Sequence, residues 1–355
     1  MINLKEKAAK LPSSPGVYLM KNSQGSIIYV GKSKTLKNRV QSYFRSSTTH
    51  TSKIEKLIKN IKDFDFILTD TEFEAFMLEC QLIKELKPIF NRMMKNPKSY
   101  VYIAIPKAEG KRNIEITSNP EKEKDYHYFG PFTNKSTVER ALEGIKDCFK
   151  MNCSNPSKTH TPCLNYSICL CNGRCFSEKA LVEYHSTLIK IIALLHGTDT
   201  SLLEEMEQKM VVASENLDFD AAAKYRDNLY AVTSLIKKEK VIEFIEENKN
   251  IVVLESFDNG AVKLFLIKRD QVLFSEKFQQ IDSDQISAKA LDHFLSFPPS
   301  IGLSRDEIDK AQIIYSYLKS SSCDYLIIRE EWLVEPGILK NALEEFIGVE
   351  LIKSR

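Results

Sequence analysis

Six of the eight cysteines in this 355-residue chain lie between Cys148 and Cys175. That crowding limits the possible folds more than any other feature. Disulfide frameworks belong to small secreted domains in oxidising compartments, whereas clustered thiols in a reducing one point to metal. The N-terminus MINLKEKAAK lacks the apolar stretch of a signal peptide. No apolar run approaches the ~20 residues that a membrane span needs. The expected compartment is therefore the cytoplasm, with no membrane partner and with the cysteines on a metal. Cys153, Cys163, Cys171 and Cys175 are separated by 10, 8 and 4 positions. Four thiolates suit either tetrahedral Zn²⁺ or a [4Fe–4S] cluster, and spacing alone favours zinc. Cys80 and Cys323 stand apart and read as packed thiols.

The length allows two or three domains with real cores, and the element pattern predicts a multi-domain α+β chain. Residues 1–105 read as a small α/β unit. GVYLM and SIIYVG are β-rich runs joined by the turn-forming KNSQG. Helices follow with apolar spacing at Leu36, Val40 and Tyr43, and at Ile54, Leu57, Ile58 and Ile61. A strand FDFILT leads into a helix over about 71–87, where Thr71 and Glu74 have capping-box spacing. SYVYIAI is a further strand. Residues 106–200 hold YHYFGPF, a helix near 134–147, the cysteine cluster and another helix.

Residues 201–245 form a helical hairpin. Ser201 and Glu204 suggest a capping box, and Leu203, Met206, Met210 and Ala213 make one stripe. Asp218 is the N-cap of a second helix with the stripe Ala222, Tyr225, Leu229, Val232 and Ile236. Residues 246–355 give three strands, helices near 284–297 and 305–318, a strand DYLIIRE, a helix at 336–346 and a last short VELI.

Composition is that of an ordinary globular chain, 43% hydrophobic and 28% charged. The net charge of +2 hides an asymmetry, because residues 1–63 carry 13 Lys/Arg against 3 Asp/Glu. A basic front end suits phosphate binding through counterion release, although a solvated lysine-rich surface has the same composition.

Glu79 is the most informative single residue. At 100° per residue, Leu78, Leu82, Ala75, Leu86, Ile83 and Phe76 form an apolar arc with Glu79 near its middle. A carboxylate there costs several kcal/mol unless it is compensated. A buried ion pair to lysine is one solution. A hard divalent ion, which prefers oxygen ligands, is the other. Around it lie Tyr18 and Tyr29, which a GVY/YVG hairpin brings near each other, and Lys32, placed in the turn before a helix where free N–H groups favour phosphate. Arg39 and Tyr43 share a helix face.

Together these residues resemble a known pattern. Gly16-Val17-Tyr18 and Tyr29-Val30-Gly31 are similar to the two elements that name the GIY-YIG nucleases. The match runs on through Lys32, Arg39, Tyr43, Glu79 and Asn91. The text YVGKSKTLKNRVQSYF…TEFEAFMLECQLIKELKPIFN resembles the UvrC/Cho excision-repair nucleases specifically. The resemblance implies that Glu79 holds Mg²⁺ or Mn²⁺, that Tyr29 is the general base and that Arg39 neutralises charge on the five-coordinate phosphate. It also implies that Tyr18 and Tyr43 position water and phosphate and that Asn91 braces the site. A phenol of reference pKa ~10 needs Lys32 or the metal to favour its phenolate. Asn96 and Pro97, ahead of Lys98, stand where the family usually has two acidic residues.

The same resemblance covers MNC…TPCLNYSICLCNGRC and implies a [4Fe–4S] cluster on Cys153, Cys163, Cys171 and Cys175. Thr161 replaces the usual arginine there, and Cys148 and Cys169 are additional thiols. NLDFDAAAKYRDNL resembles the UVR motif. By that resemblance Phe219, Ala222, Ala223, Arg226 and Asp227 engage UvrB. The last region resembles an inactive RNase H-like layer, because Glu255 and Asp258 form no convincing carboxylate cluster. The implied function is a metal-dependent endonuclease of nucleotide excision repair that cuts on the 3′ side of a lesion in UvrB-bound, damaged double-stranded DNA. Two alternatives are a non-catalytic UvrB-binding adaptor and a mobile-element GIY-YIG nuclease.

Overall fold

The computed structural model describes residues 3–45, 51–91, 100–107, 113–120, 125–132, 134–155, 161–298 and 305–353. Asn96, Pro97 and Lys98, where the sequence departs from the family text, lie outside them. The chain divides into two compact units, Met1–Pro97 with Phe244–Arg355, and Lys98–Glu243.

The first unit begins with α1 (Leu4–Ala9), β1 (Gly16–Lys21), β2 (Ile27–Ser33), α2 (Leu36–Ser42), α3 (Ser52–Asn60), β3 (Asp63–Leu68) and α4 (Glu72–Leu86). The Asn22 side chain closes the β1–β2 turn by accepting from the Gln24 and Ser26 N–H groups. The sheet is antiparallel, in the order β2-β1-β3. On one face Tyr18, Met20, Leu36, Val40 and Phe64 make the core; on the other Val17, Leu19 and Val30 meet Ala75 and Ile83 of α4.

Both halves of the expected capping box form on α4, with Thr71 Oγ1 accepting from the Glu74 N–H and Glu74 Oε2 accepting from the Thr71 N–H. The expected apolar arc is only part of what α4 buries. Leu86 is 43% exposed at the helix end, and Phe73 and Cys80 are buried on a second face.

The second unit holds β4 (Val101–Pro106), β5 (Glu115–Thr117), β6 (Tyr126–Phe132), α5 (Lys135–Cys148), α6 (Leu164–Ser167), α7 (Glu178–Leu195), α8 (Ser201–Glu215) and all but the last three residues of α9 (Phe219–Glu246). The strand expected at SYVYIAI forms as β4, but it lies between β5 and β6 and does not extend the first sheet. Its backbone pairs with Glu115–Thr117 and Tyr126–Phe132, so residues 101–105 go with the second unit.

The start of the helical hairpin also differs. Thr200, not Ser201, is the N-cap residue of α8, because Asp199 accepts from the Ser201 N–H and the Thr200 hydroxyl donates to Glu204. Leu202 takes the buried place expected for Leu203. Asp218 caps α9 through the Ala221 N–H, as its spacing suggests.

The remainder belongs to the first unit: β7 (Asn250–Ser256), β8 (Val262–Lys268), β9 (Gln271–Phe278), α10 (Ser283–Leu295), α11 (Arg305–Leu318), β10 (Asp324–Ile328), α12 (Glu330–Val334) and α13 (Pro336–Lys353). The sheet order is β10-β7-β8-β9, antiparallel throughout. VELI is no separate element and continues α13. β8 is buried along its whole length because both its faces are covered. Val262, Leu264 and Leu266 face the core with α10 and α13, while Phe265 meets Phe73 of α4. Among the described residues no helix is long and apolar enough to cross a membrane.

Candidate active site and thiol cluster

The β1–β2 hairpin sets the site. Tyr18 pairs with Gly31 and Met20 with Tyr29, so the two tyrosines lie diagonally on one face, their ring centroids 6.2 Å apart. The Tyr18 ring runs across Gly31, where a Cβ would come within 2.4 Å of its hydroxyl end. Gly16 is held equally close, since a Cβ there would lie 2.3 Å from the Ile67 carbonyl oxygen. Both glycines of the paired motifs are therefore fixed by close approach.

Tyr43, just past the last turn of α2, completes a phenol cluster, with its hydroxyl 2.9 Å from that of Tyr18. Arg39 donates from Nε to the Tyr18 hydroxyl at 3.3 Å, and its guanidinium lies 5.4 Å from the Tyr43 ring centre. Asn91 mimics a strand on the free edge of β2. Its Oδ1 accepts from the Val30 N–H and its Nδ2 donates to the Val30 carbonyl, at 3.0 and 2.9 Å. That pair anchors the residue next to Tyr29.

Glu79 enters from α4, and its Oε1 accepts from the Lys32 N–H at 3.2 Å. Among the described residues no lysine or arginine forms an ion pair with it. Burial raises its carboxyl above the usual carboxylate range, against the lowering effects of the Lys32 N–H and the Lys32 and Arg39 charges. The Tyr29 phenol is also raised, first by burial and then by Tyr43 and the negative charge of Glu79, with Arg39 opposing.

Lys32 differs from expectation in two ways. It lies inside β2, which pairs with β1 as far as Gly16, so its N–H serves Glu79 and is not free for phosphate. Its ammonium bonds Glu72 at 2.6 Å over the Phe76 ring, and Arg39 is the cation that lowers the Tyr29 pKa. Glu72 was missed by sequence reasoning, although its spacing of seven from Glu79 puts both on one helix face.

In the second unit Cys153, Cys163, Cys171 and Cys175 are all buried, with their sulfurs within 4.8 Å of one another. None forms a disulfide. Burial pushes Cys153 up to about 12. Burial acts on Cys163 in the same sense, yet hydrogen bonds from the Ser154 and Tyr166 N–H groups hold it down to about 6. One thiolate thus forms easily, while burial, and after it the adjacent thiolate, raises Cys153 and Cys171; a cation among the sulfurs would offset both effects, which is the chemistry of a metal-binding donor set. Of the additional thiols, Cys169 is exposed and Cys148 is buried against Asn228.

At the hairpin turn Phe219 is 64% exposed, and farther along α9 Tyr230 is 78% exposed. Arg226 pairs with Asp227 at the surface, and Ala222 and Ala223 are half-buried.

Three family models match in succession: a UvrC-like GIY-YIG domain over residues 14–92, the UvrC/Cho excinuclease middle domain over 100–194, and the UvrB/uvrC motif over 200–229. UvrABC system protein C of Alkaliphilus oremlandii is 35% identical over 98% of this chain and 54% of its own length. Its namesake from Clostridioides difficile is 35% identical over 97% of this chain and 60% of its own length. The chain thus spans little more than half the length of these curated relatives. The GIY-YIG N-terminal endonuclease domain of UvrC from Thermotoga maritima, solved with its catalytic magnesium, is 36% identical. That match covers 26% of this chain and all of that one, with a TM-score of 0.24. With its three matching regions in order and its relatives aligned along nearly the whole sequence, the chain belongs to the UvrC/Cho excinuclease family.

Proposed function

We propose that this chain is a cytoplasmic endonuclease of nucleotide excision repair that hydrolyses one DNA phosphodiester on the 3′ side of a lesion held by UvrB. The carrying observation is Glu79, a half-buried carboxylate with no ion-pair partner among the described residues, beside three clustered phenols and Arg39. A carboxylate left in that state fits one hard divalent ion, and Mg²⁺ or Mn²⁺ held there would polarise the scissile phosphate and stabilise the leaving oxygen.

The chain's own groups supply the rest. Tyr29, as phenolate, takes a proton from the attacking water, whose oxygen then bonds phosphorus as the leaving P–O bond breaks. Arg39 offers its remaining N–H donors to the charge that builds on the phosphate. Tyr18 and Tyr43 hold water and phosphate in line. Lys32 secures Glu79 through its backbone and Glu72 through its ammonium, and Asn91 fixes β2. A raised Tyr29 pKa has a kinetic consequence. The active form is scarce at neutral pH, so the single-turnover cutting rate should climb about tenfold per pH unit between about pH 7 and 9. Tyr29→Phe should cut far more slowly and lose that slope.

We assign the [4Fe–4S] cluster, with zinc as the alternative metal, to Cys153, Cys163, Cys171 and Cys175, in a structural role. The anaerobic absorption spectrum separates the two metals. The exposed ring of Phe219, with Ala222, Ala223, Arg226 and Asp227, is assigned to UvrB. The region 246–355 is assigned as a catalytically inert, RNase H-like domain on its element order, although β10 is antiparallel to β7.

The test is a lesion-containing duplex loaded with UvrA and UvrB. This chain plus Mg²⁺ should give a single nick 3′ of the lesion, and Phe219→Ala should reduce nicking by weakening recruitment. Absence of any metal-dependent nick would refute the reading.

A further inference from the structure

The helix that carries Glu79 is held from two sides. Ala75, Leu78 and Leu82 pack toward the β1–β2 hairpin. Phe73, Cys80 and Lys84 fall within about 40° of one another on the opposite side, and that side meets the C-terminal part of the same unit. The Phe73 ring stacks on Tyr317 with centroids 4.0 Å apart and planes 6° from parallel, and it meets Phe265 edge-on at 5.2 Å. Lys84 reaches Asp309 of α11 at 3.7 Å. Tyr317 is fixed in turn by donating to Glu255 Oε2 at 2.7 Å.

The polar contacts converge on the first turn of α4. Lys263, buried on β8, bonds Asp70 Oδ2 at 2.7 Å and Glu74 Oε1 at 2.8 Å. Ser275 donates to the same Glu74 oxygen at 2.9 Å. Glu74 is the capping-box residue, and its other oxygen accepts from the Asp70 and Thr71 N–H groups. One carboxylate therefore ties the helix start to its own backbone and to the C-terminal sheet together. Burial works against the Lys263 charge, yet the bonds to Asp70 and Glu74 raise its pKa above the usual lysine value.

We propose that the C-terminal domain is a brace for the nuclease site, with Lys263, Phe73 and Tyr317 as positioning residues that fix α4 and hence the Glu79 carboxylate. Its effect on cutting rests on the nuclease reading above; its effect on the helix does not. The region is then more than an inert appendage, since it sets where the metal-binding carboxylate sits, and small displacements of such groups have large kinetic consequences.

The test uses the full chain carrying Lys263→Met, Lys263→Arg or Phe73→Leu, followed by amide hydrogen exchange across residues 72–86 and by single-turnover cutting. For Lys263→Met, exchange in α4 should rise about tenfold and kcat should fall about tenfold, with KM for DNA unchanged. Lys263→Arg should restore most of both. If Lys263→Met does not fold, Phe73→Leu should show the same changes at smaller size. Parental exchange and parental kcat in Lys263→Met, or in Phe73→Leu where only that variant folds, would overturn the brace. Raised exchange in a chain that never cuts DNA would support the brace and refute the nuclease reading instead.

Discussion

Cys171→Ser, or removal of a bound metal by chelation, is expected to unfold the short segment around residues 161–176, between α5 and α7. Apart from the cysteines, few apolar side chains are buried in it, whereas α7 beyond it keeps its own buried face of Ala180, Tyr184, Leu188 and Ile191. The helix α6 has four residues, and Leu164, Ile168 and Phe176 are 72%, 56% and 36% exposed. The four sulfurs occupy the place of a hydrophobic core, so a metal held by them would supply much of that segment's folding energy. Structural metal sites return on the order of 10–16 kcal/mol in small domains. Limited proteolysis should place new cuts between α5 and α7, and the melting curve should lose its transition for this segment. Cys169→Ser, at an exposed thiol, should change stability by no more than about 0.5 kcal/mol. An unchanged melt for the Cys171 variant would remove the structural role.

Glu79→Gln is expected to lower cutting by about a thousandfold or more while making the chain more stable. Burial raises the Glu79 carboxyl above its unfolded value, so the folded state holds its proton to higher pH than the unfolded state does. The resulting penalty is absent below the unfolded carboxyl pKa. It grows as pH rises toward the folded value and is complete above it. At neutral pH glutamine should therefore add about 0.5–2 kcal/mol, the usual gain when a functional position is relaxed. The difference from the parent should vanish near pH 4. Denaturant melts of both chains at pH 4 and pH 7.5 measure it, and equal stability at pH 7.5 would contradict the desolvation argument.

Much of the site was legible because its signals are local. The GVY and YVG runs carry strand patterning with a turn between them, and Thr71 with Glu74 declares the start of α4. Glu79 stands out because a charge on an apolar arc conflicts with its surroundings. The second buried face of α4 was not legible, since Phe73 and Cys80 meet residues far along the chain and helical periodicity names no partner. Lys32 misled for a related reason. Its position before a helix suggested a turn, but strand pairing with Val17 keeps it in β2. β4 reads as a strand from its residues alone, while only pairing with β5 and β6 decides which sheet it joins.

The most direct check is a Mg²⁺ titration of single-turnover cutting on one UvrB-loaded, lesion-containing duplex, run in parallel for the parent chain and Glu79→Gln. The parent should approach a plateau rate as Mg²⁺ saturates a single site, with the Gln chain silent at every concentration. Equal rates with the same Mg²⁺ dependence would mean that the metal binds elsewhere and that Glu79 has no part in the cut.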